Sequence, residues 1–328
     1  MVTSIFSKVA ALSAGLLLVS GALAAPATKG TLPAYKAVSG VSGSLKSIGS
    51  DTMNNEMALW SEGFRKLYPG VKIEIEGKGS ATAPPALIEG TAQLGPMSRP
   101  MKAEETEAFK KKYGYEPTSV NTSLDVLAVY VHRDNPLKAL TLQQVDAVFS
   151  KTRKSGVAKD IVTWGDLGLT GEWASKPIQI YGRNSASGTY GYFKEHALAK
   201  GDFKDTVKEQ PGSAAVVQAV ANDKFAIGYS GIGYMTEGVK AVPLAGKDGK
   251  AVVANKDNAY NNTYPLGRFL LLYVNKSPSG SLDPLRSEFL RYVLSAQGQE
   301  SVEKEGYIAL TPELAKKELA KLHLNPQG

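Results

Sequence analysis

Short apolar segments alternate with helix-periodic ones along most of the chain, and this alternation narrows the possible folds more than any single residue does. VKIEIEG (71–77) alternates apolar and polar side chains, as a half-buried strand does. Before it, Met53, Met57, Trp60, Phe64 and Leu67 recur at helical spacing and predict one buried helix face, stopped by Pro69 and Gly70. DVLAVYVHRDNP (125–136) predicts a long apolar strand ended by a turn, and TLQQVDAVFS (141–150) a short helix capped by Thr141. PIQIYGRNSASGTYGYFKEHALAKG (177–201) predicts strand, loop and helix, with Gly201 as the stop. GSAAVVQAVANDKFAIGYSGIGYM (212–235) predicts a helix and then a strand. RFLLLYVN (268–275) predicts another long strand, and residues 284–306 one long terminal helix. Strands alternating with helices imply an α/β protein with open, mostly parallel sheets. Ligands of such sheets sit beyond the carboxyl ends of the strands, where loops lead into helices.

The length of 328 residues suits two domains, and a hydrophobic fraction of 43% supplies real cores. Lys8 precedes an apolar run that ends in an A-x-A pattern at Ala22–Ala24, so residues 1–24 read as a secretory signal. The run is too short and too diluted for a membrane span, and no later segment is apolar enough for one. Residues 25–43 are small, polar and aperiodic, and read as a flexible leader. With no cysteine, neither a lipid anchor on cysteine nor a disulfide is possible, so the exported chain must be held by its cores. The formal charge of +7 falls to about +6 without the signal. Basic and acidic residues are interspersed, as in MKAEETEAFKKKYG, which argues against nucleic-acid binding while leaving a field that attracts small anions.

Three strand-to-helix junctions share one character: GSDTM at 49–53, GKGSAT at 77–82 and GRNSASGT at 182–189. Each places Gly with Ser or Thr at a helix start, where unpaired N–H groups and the positive end of the dipole face outward. Any one of them could be a simple cap. Three together with Arg183, whose fork of donors suits a tetrahedral oxyanion, point to an anion site that needs no metal and no cofactor.

These residues carry a resemblance. The chain resembles the phosphate-binding periplasmic components of Pst-type ABC transporters, the PstS family, over roughly Ser44 to Gly306. The matching motifs are Gly49-Ser50-Asp51-Thr52-Met53, Gly77-Lys78-Gly79-Ser80, and Arg183 followed by Ser187-Gly188-Thr189. AIGYSGIGY and YPLGRFLLLYVN look like further family segments. The resemblance implies a two-lobed, class II periplasmic binding fold with two crossover strands. Lobe one would be residues 44–128 plus 266–328, and lobe two residues 129–265. The lobes would close on a phosphate ion and hand it to a permease in the inner membrane, with the receptor a periplasmic monomer. Ser50, Asp51, Thr52, Met53 and Ser80 would serve from lobe one, and Arg183, Ser187, Gly188 and Thr189 from lobe two. The pattern departs at LGPMSRPM, where Ser98 is followed by Arg99 and not by the aspartate that accepts the proton of hydrogen phosphate in well-known members. Asp51 either replaces that aspartate or is a plain helix cap. Arg99 either touches the anion or pairs with a nearby acid.

Two other functions are compatible with parts of the sequence. The same trap could take sulfate, molybdate or tungstate. A phosphatase or a serine hydrolase using Ser187 would need a base beside it. However, SASGT is not G-x-S-x-G, and His196 lies nine residues on. His132, His196 and His323 show no metal spacing. Trp164 and Trp173 read as braces of a loop, and Tyr190, Phe193 and Ala197 as a buried helix face.

Overall fold

The computed structural model describes residues 31–246 and 248–325. The predicted secretory signal and residues 25–30 of the leader lie outside them. Strand β1 (Ser44–Gly49) leads to helix α1 (Asn54–Leu67), then β2 (Lys72–Gly77), α2 (Ala83–Ile88), β3 (Gly95–Met97), α3 (Ala103–Tyr113) and the 15-residue β4 (Thr118–His132). Next come β5 (Leu140–Thr141), α4 (Leu142–Phe149), β6 (Gln179–Arg183), α5 (Gly188–His196), β7 (Lys208–Gln210), α6 (Ser213–Ala221) and β8 (Ala226–Gly231). Short strands β9 (Val239–Ala241), β10 (Leu244–Ala245) and β11 (Ala251–Val252) precede α7 (Lys256–Tyr260) and β12 (Gly267–Val274). Helices α8 (Pro284–Val293), α9 (Ala296–Lys304) and α10 (Pro312–Lys321) close the chain.

Strand β4 organises the architecture. Its first part, Thr118–Val126, pairs antiparallel with β12, which also carries β3. From Leu127 onward it pairs with β8 and β9. β8 pairs in parallel with β6, and β6 in parallel with β7. On the other side β1 pairs in parallel with β2 and bridges in parallel from Ser47 to Leu94. The chain passes back at Leu266, whose carbonyl accepts the Leu127 N–H at 3.0 Å. This is the two-lobed α/β arrangement with two crossovers. The β1–β2 sheet is parallel, whereas the seven-stranded sheet is mixed: antiparallel pairs run along β12, β4, β8 and β9, and parallel pairs along β8, β6 and β7.

The predicted faces are buried for the expected reason. Met53, Met57, Trp60 and Phe64 are fully buried on the inner side of α1, and the Trp60 indole donates to the Gly298 carbonyl at 2.8 Å. Leu67, assigned to the same face, is 40% exposed, because it ends the helix beyond the packed stripe. Pro84 and Pro85 stand in the first turn of α2, where a missing N–H breaks no intrahelical bond. Thr141 caps α4, its hydroxyl accepting the Gln144 N–H at 3.1 Å.

Two readings change. The long helix over 284–306 is two helices, because Ser295 caps α9 and Gly298 lies against the end of α8, where a Cβ would stand 2.1 Å from the Tyr292 carbonyl. The leader is anchored within its described part. Tyr35 is buried, its N–H donates to Gln297 Oε1 at 2.8 Å, and its hydroxyl donates to Glu288 Oε2 at 2.9 Å. An aromatic ring buried on a helix pair holds such a segment without regular structure.

Candidate anion site

Four loops leave the carboxyl ends of β1, β2, β3 and β6 and meet. The close approach depends on glycine. A Cβ at Gly49 would lie 2.1 Å from the Pro96 carbonyl, which accepts the Ser50 N–H at 2.7 Å. Gly79 has φ +114°, and a Cβ there would be 2.4 Å from the Ala186 carbonyl. That carbonyl accepts the Ala81 N–H at 3.1 Å, joining the second and third junctions directly. At Gly188 a Cβ would fall 2.2 Å from Ser80 Oγ and 2.6 Å from Ser98 Oγ.

The hydroxyls converge as a consequence. Thr52 Oγ1 and Thr189 Oγ1 are 2.9 Å apart, Ser98 Oγ and Thr189 Oγ1 3.4 Å, and Ser80 Oγ and Ser98 Oγ 3.3 Å. Ser80 Oγ also accepts the Ser98 N–H at 3.0 Å. Ser50, Thr52, Ser80, Ser98, Ser187, Gly188 and Thr189 are all buried. Ser187 caps α5, its hydroxyl accepting the Tyr190 N–H at 3.3 Å. Met53 puts its side chain in the core, and its N–H closes the turn onto the Ser50 carbonyl at 3.3 Å.

Arg183 is buried at the end of β6. Its Nη1 donates to Ser213 Oγ at 2.7 Å and lies 3.2 Å from Asp51 Oδ2. Its backbone N–H donates to the Tyr229 hydroxyl at 3.1 Å, while its Nε is buried without a partner among the described residues. Burial lowers the arginine's pKa, and the Asp51 carboxylate opposes this. Arg268 also disfavours the charge, which places a second guanidinium within electrostatic reach.

Asp51 is not a plain cap of its own helix. Its Oδ2 accepts the Ser213 N–H at 2.8 Å, so it caps α6 across the cleft and not its own helix. Arg99 pairs with an acid: Nη1 and Nη2 donate to the two carboxylate oxygens of Glu105 at 2.7 and 2.6 Å, and Nη1 to the Pro100 carbonyl at 2.8 Å. A bidentate pair commits this guanidinium to α3. The tyrosines Tyr234 and Tyr307 were not singled out in the sequence. Tyr234 donates to the Asp51 carbonyl at 3.0 Å and Tyr307 to the Thr52 carbonyl at 2.9 Å, fixing the plane of the first loop.

The larger omission is Arg268 with Asp125. Arg268 Nε and Nη2 donate to Asp125 Oδ2 at 2.9 and 2.8 Å, and Asp125 Oδ1 accepts the Ile232 N–H at 3.0 Å. Arg268 Nη1 donates to the Ser98 carbonyl at 2.7 Å and Nη2 to Thr189 Oγ1 at 2.9 Å. The guanidinium also stands 5.2 Å from the centre of the Tyr192 ring. The available signal was one charge of each sign inside a long apolar strand, Asp125 in SLDVLAVYVH and Arg268 in GRFLLLYVN.

Glu56, in the first turn of α1, is fully buried and neither carboxyl oxygen has a hydrogen-bond partner among the described residues. Desolvation raises its pKa to about 8; the Ser123 hydroxyl offsets part of the rise, and Asp125 and Glu305 add to it. Elsewhere, Trp164 and Trp173 meet edge to face at 5.9 Å, and the Trp164 indole donates to the Phe225 carbonyl, bracing their loop. Phe193 and Ala197 are buried, and Tyr190 stacks on Phe203 at 4.6 Å. His196 packs on Tyr192 and burial lowers its pKa, His132 lies beside Asp134, and His323 beside Lys276. No group of three or more potential metal ligands gathers among the described residues, and no described helix is long and apolar enough to cross a membrane.

Residues 34–297 match a family model described as PBP superfamily domain. The chain is 58% identical to the phosphate-binding protein PstS of Pseudomonas aeruginosa, over 93% of this chain and 95% of that protein. It is 30% identical to the PstS of Staphylococcus epidermidis, over 84% and 82% of the two chains. Among solved structures it resembles a putative phosphate ABC transporter substrate-binding protein with bound phosphate from Clostridium perfringens. That match has a TM-score of 0.69 and 28% identity, covering 82% of this chain and all of that one. An ABC-type phosphate transport receptor from Vibrio cholerae shares the fold, with a TM-score of 0.63 at 22% identity, over 81% and 100%.

Proposed function

Because the chain belongs to the PBP superfamily, and within it to the PstS phosphate-binding proteins, we propose that it captures inorganic phosphate between its lobes and delivers it to an ABC transporter. The observation that carries this reading at residue level is the meeting of four hydroxyls, from Thr52, Ser80, Ser98 and Thr189, beside two buried guanidiniums. The hydroxyl protons can rotate from one another to an entering oxyanion, and Arg183 supplies the charge. Charge-assisted hydrogen bonds of ~1.5–3 kcal/mol each, several at once, reach the about −8 kcal/mol of a micromolar complex after ordering terms.

The ligand set is then Ser50, Thr52, Ser80, Ser98, Arg183, Ser187, Gly188 and Thr189, with Met53 supporting the first loop. Arg99 is set aside as a brace of α3. Asp51, with Oδ2 occupied by Ser213 and Arg183, has Oδ1 left to accept a proton from hydrogen phosphate, which sulfate lacks. Lobe one comprises residues 44–128 and 266–328 and lobe two 129–265, a division supported by the change of β4 partners from β12 to β8 between Val126 and Leu127, two residues before that boundary. Residues 1–24 direct export to the periplasm, where the mature monomer meets its permease. The protein is a receptor and not an enzyme: Ser187 serves as a helix cap, and His196 is packed on Tyr192.

The test is a thermal-shift panel of phosphate, sulfate, molybdate and tungstate on the mature chain, followed by calorimetry. Phosphate is expected to give the largest shift and a Kd in the micromolar range or below. A larger shift with another anion would transfer the same trap to that ligand. Asp51→Asn with unchanged preference for phosphate over sulfate would remove Asp51 from its selecting role.

A further inference from the structure

Arg268 touches both sides of the hydroxyl cluster yet belongs to a crossover strand and not to any anion-binding loop. A guanidinium has donors only, so the direction of its hydrogen bonds is fixed. Its Nη2 therefore fills one acceptor position of Thr189 Oγ1 at 2.9 Å, and its Nη1 fills one on the Ser98 carbonyl at 2.7 Å. The Thr52 and Ser98 hydroxyls, 2.9 and 3.4 Å from Thr189 Oγ1, can each donate to it or accept from it. A threonine oxygen offers two lone pairs and one proton. With one lone pair held by a donor that cannot reverse, the hydroxyl is biased towards giving its proton to a ligand. Arg268 is itself held by Asp125 through two bonds, with Asp125 tied to the Ile232 N–H, so the donor cannot swing away.

We propose that Arg268 is a positioning residue for phosphate recognition, which biases the Thr189 hydroxyl towards donation and so directs an unprotonated phosphate oxygen to that side of the site. The inference rests on the phosphate reading of the hydroxyl cluster and adds to it a residue and a direction. A lysine at 268 keeps the charge but has one nitrogen, which cannot serve Asp125, Thr189 and the Ser98 carbonyl in the same planar geometry.

The experiment is a double-mutant cycle on the mature protein, read by calorimetry with inorganic phosphate: wild type, Arg268→Lys, Thr189→Val and the pair. Arg268→Lys is expected to weaken binding at least tenfold. In the Thr189→Val background, which has no hydroxyl to direct, the same change is expected to weaken binding less than threefold. Thr189→Ser, which restores the hydroxyl, should restore the full dependence on Arg268. A general loosening of the fold would not follow the hydroxyl in this way. If Arg268→Lys does not fold, Arg268→Gln with Asp125→Asn removes both charges together and enters the same cycle. Equal losses with and without the Thr189 hydroxyl overturn the inference while leaving the phosphate site standing, as does an Arg268 variant that binds like wild type. Wild-type protein that does not bind phosphate overturns the phosphate reading and this inference with it.

Discussion

Two buried guanidinium–carboxylate pairs face the cleft, and they differ in what holds the partners together. Asp125 and Arg268 sit on adjacent crossover strands, in register across the β4–β12 ladder, and their side chains are 0% and 2% exposed. Asp51 follows β1 and Arg183 ends β6, two elements that are not paired with each other, and the Asp51 side chain is 18% exposed. A hinge motion would separate the second pair and hydrate both groups, whereas the first lies across strands that stay paired. The contrast suggests two uses of one chemistry: a fixed pair that orients donors, and a breakable pair that links lobe closure to the anion. Buried pairs contribute little net stability when intact, but removal of one partner leaves a stranded charge.

The largest expected effect on affinity is on the breakable side. Arg183→Met should lower phosphate affinity about 100-fold or more, the equivalent of one or two charge-assisted bonds. Calorimetry reads this, and a loss below tenfold would shift the anion's main charge contact to Arg268. On the fixed side, Asp125→Leu strands Arg268 and should reduce stability by about 3–5 kcal/mol in urea unfolding. Asp51→Leu should reduce it by only about 1 kcal/mol, because an opened cleft can hydrate Arg183. In that variant, small-angle scattering should show a larger radius of gyration without phosphate. Equal losses in the two variants would erase the distinction between the pairs.

Glu56 sharpens the comparison, as a buried acid near Asp125 with no ion-pair partner among the described residues. Its folded pKa, about 8, lies above its unfolded value, so the folded state holds a proton that the unfolded state has lost. Its contribution is fully present below the unfolded pKa of about 4.3 and is lost progressively as pH rises through about 8. Glu56→Gln should remove this dependence and raise the melting temperature relative to wild type at pH 8, with little difference at pH 4. An equal shift at both pH values would mean that Glu56 is not neutral in the fold. The smallest effect is a control remote from both pairs: Thr141→Ala removes the α4 cap, at about 1 kcal/mol, and should leave phosphate affinity unchanged.

Periodicity was enough for the faces of α1, β2 and β4, because burial on one side imposes a repeat that side-chain polarity records. The three Gly-Ser/Thr junctions were equally legible, since a tight turn into a helix restricts residue type at each position. The break between α8 and α9 was not legible. Ser295 and Gly298 are unremarkable in a helical run, and only contact with Trp60 and Tyr292 makes them a cap and a close approach. Arg99 remained open between anion and acid because Glu105 becomes its neighbour only when α3 folds back.

The sequence by itself determined an α/β chain whose anion-binding loops follow strand ends, and it identified Arg183, Ser80 and Thr189 as members of those loops, since backbone geometry and residue chemistry are local. Tertiary structure alone decided which charges meet. Asp125 and Arg268 are 143 residues apart and Asp51 and Ser213 are 162 apart, and only strand pairing and the packing of the first loop on α6 bring them within hydrogen-bonding distance. Hydrogen bonds act over about 3 Å, so a pattern read along one dimension cannot contain them until the chain has closed on itself.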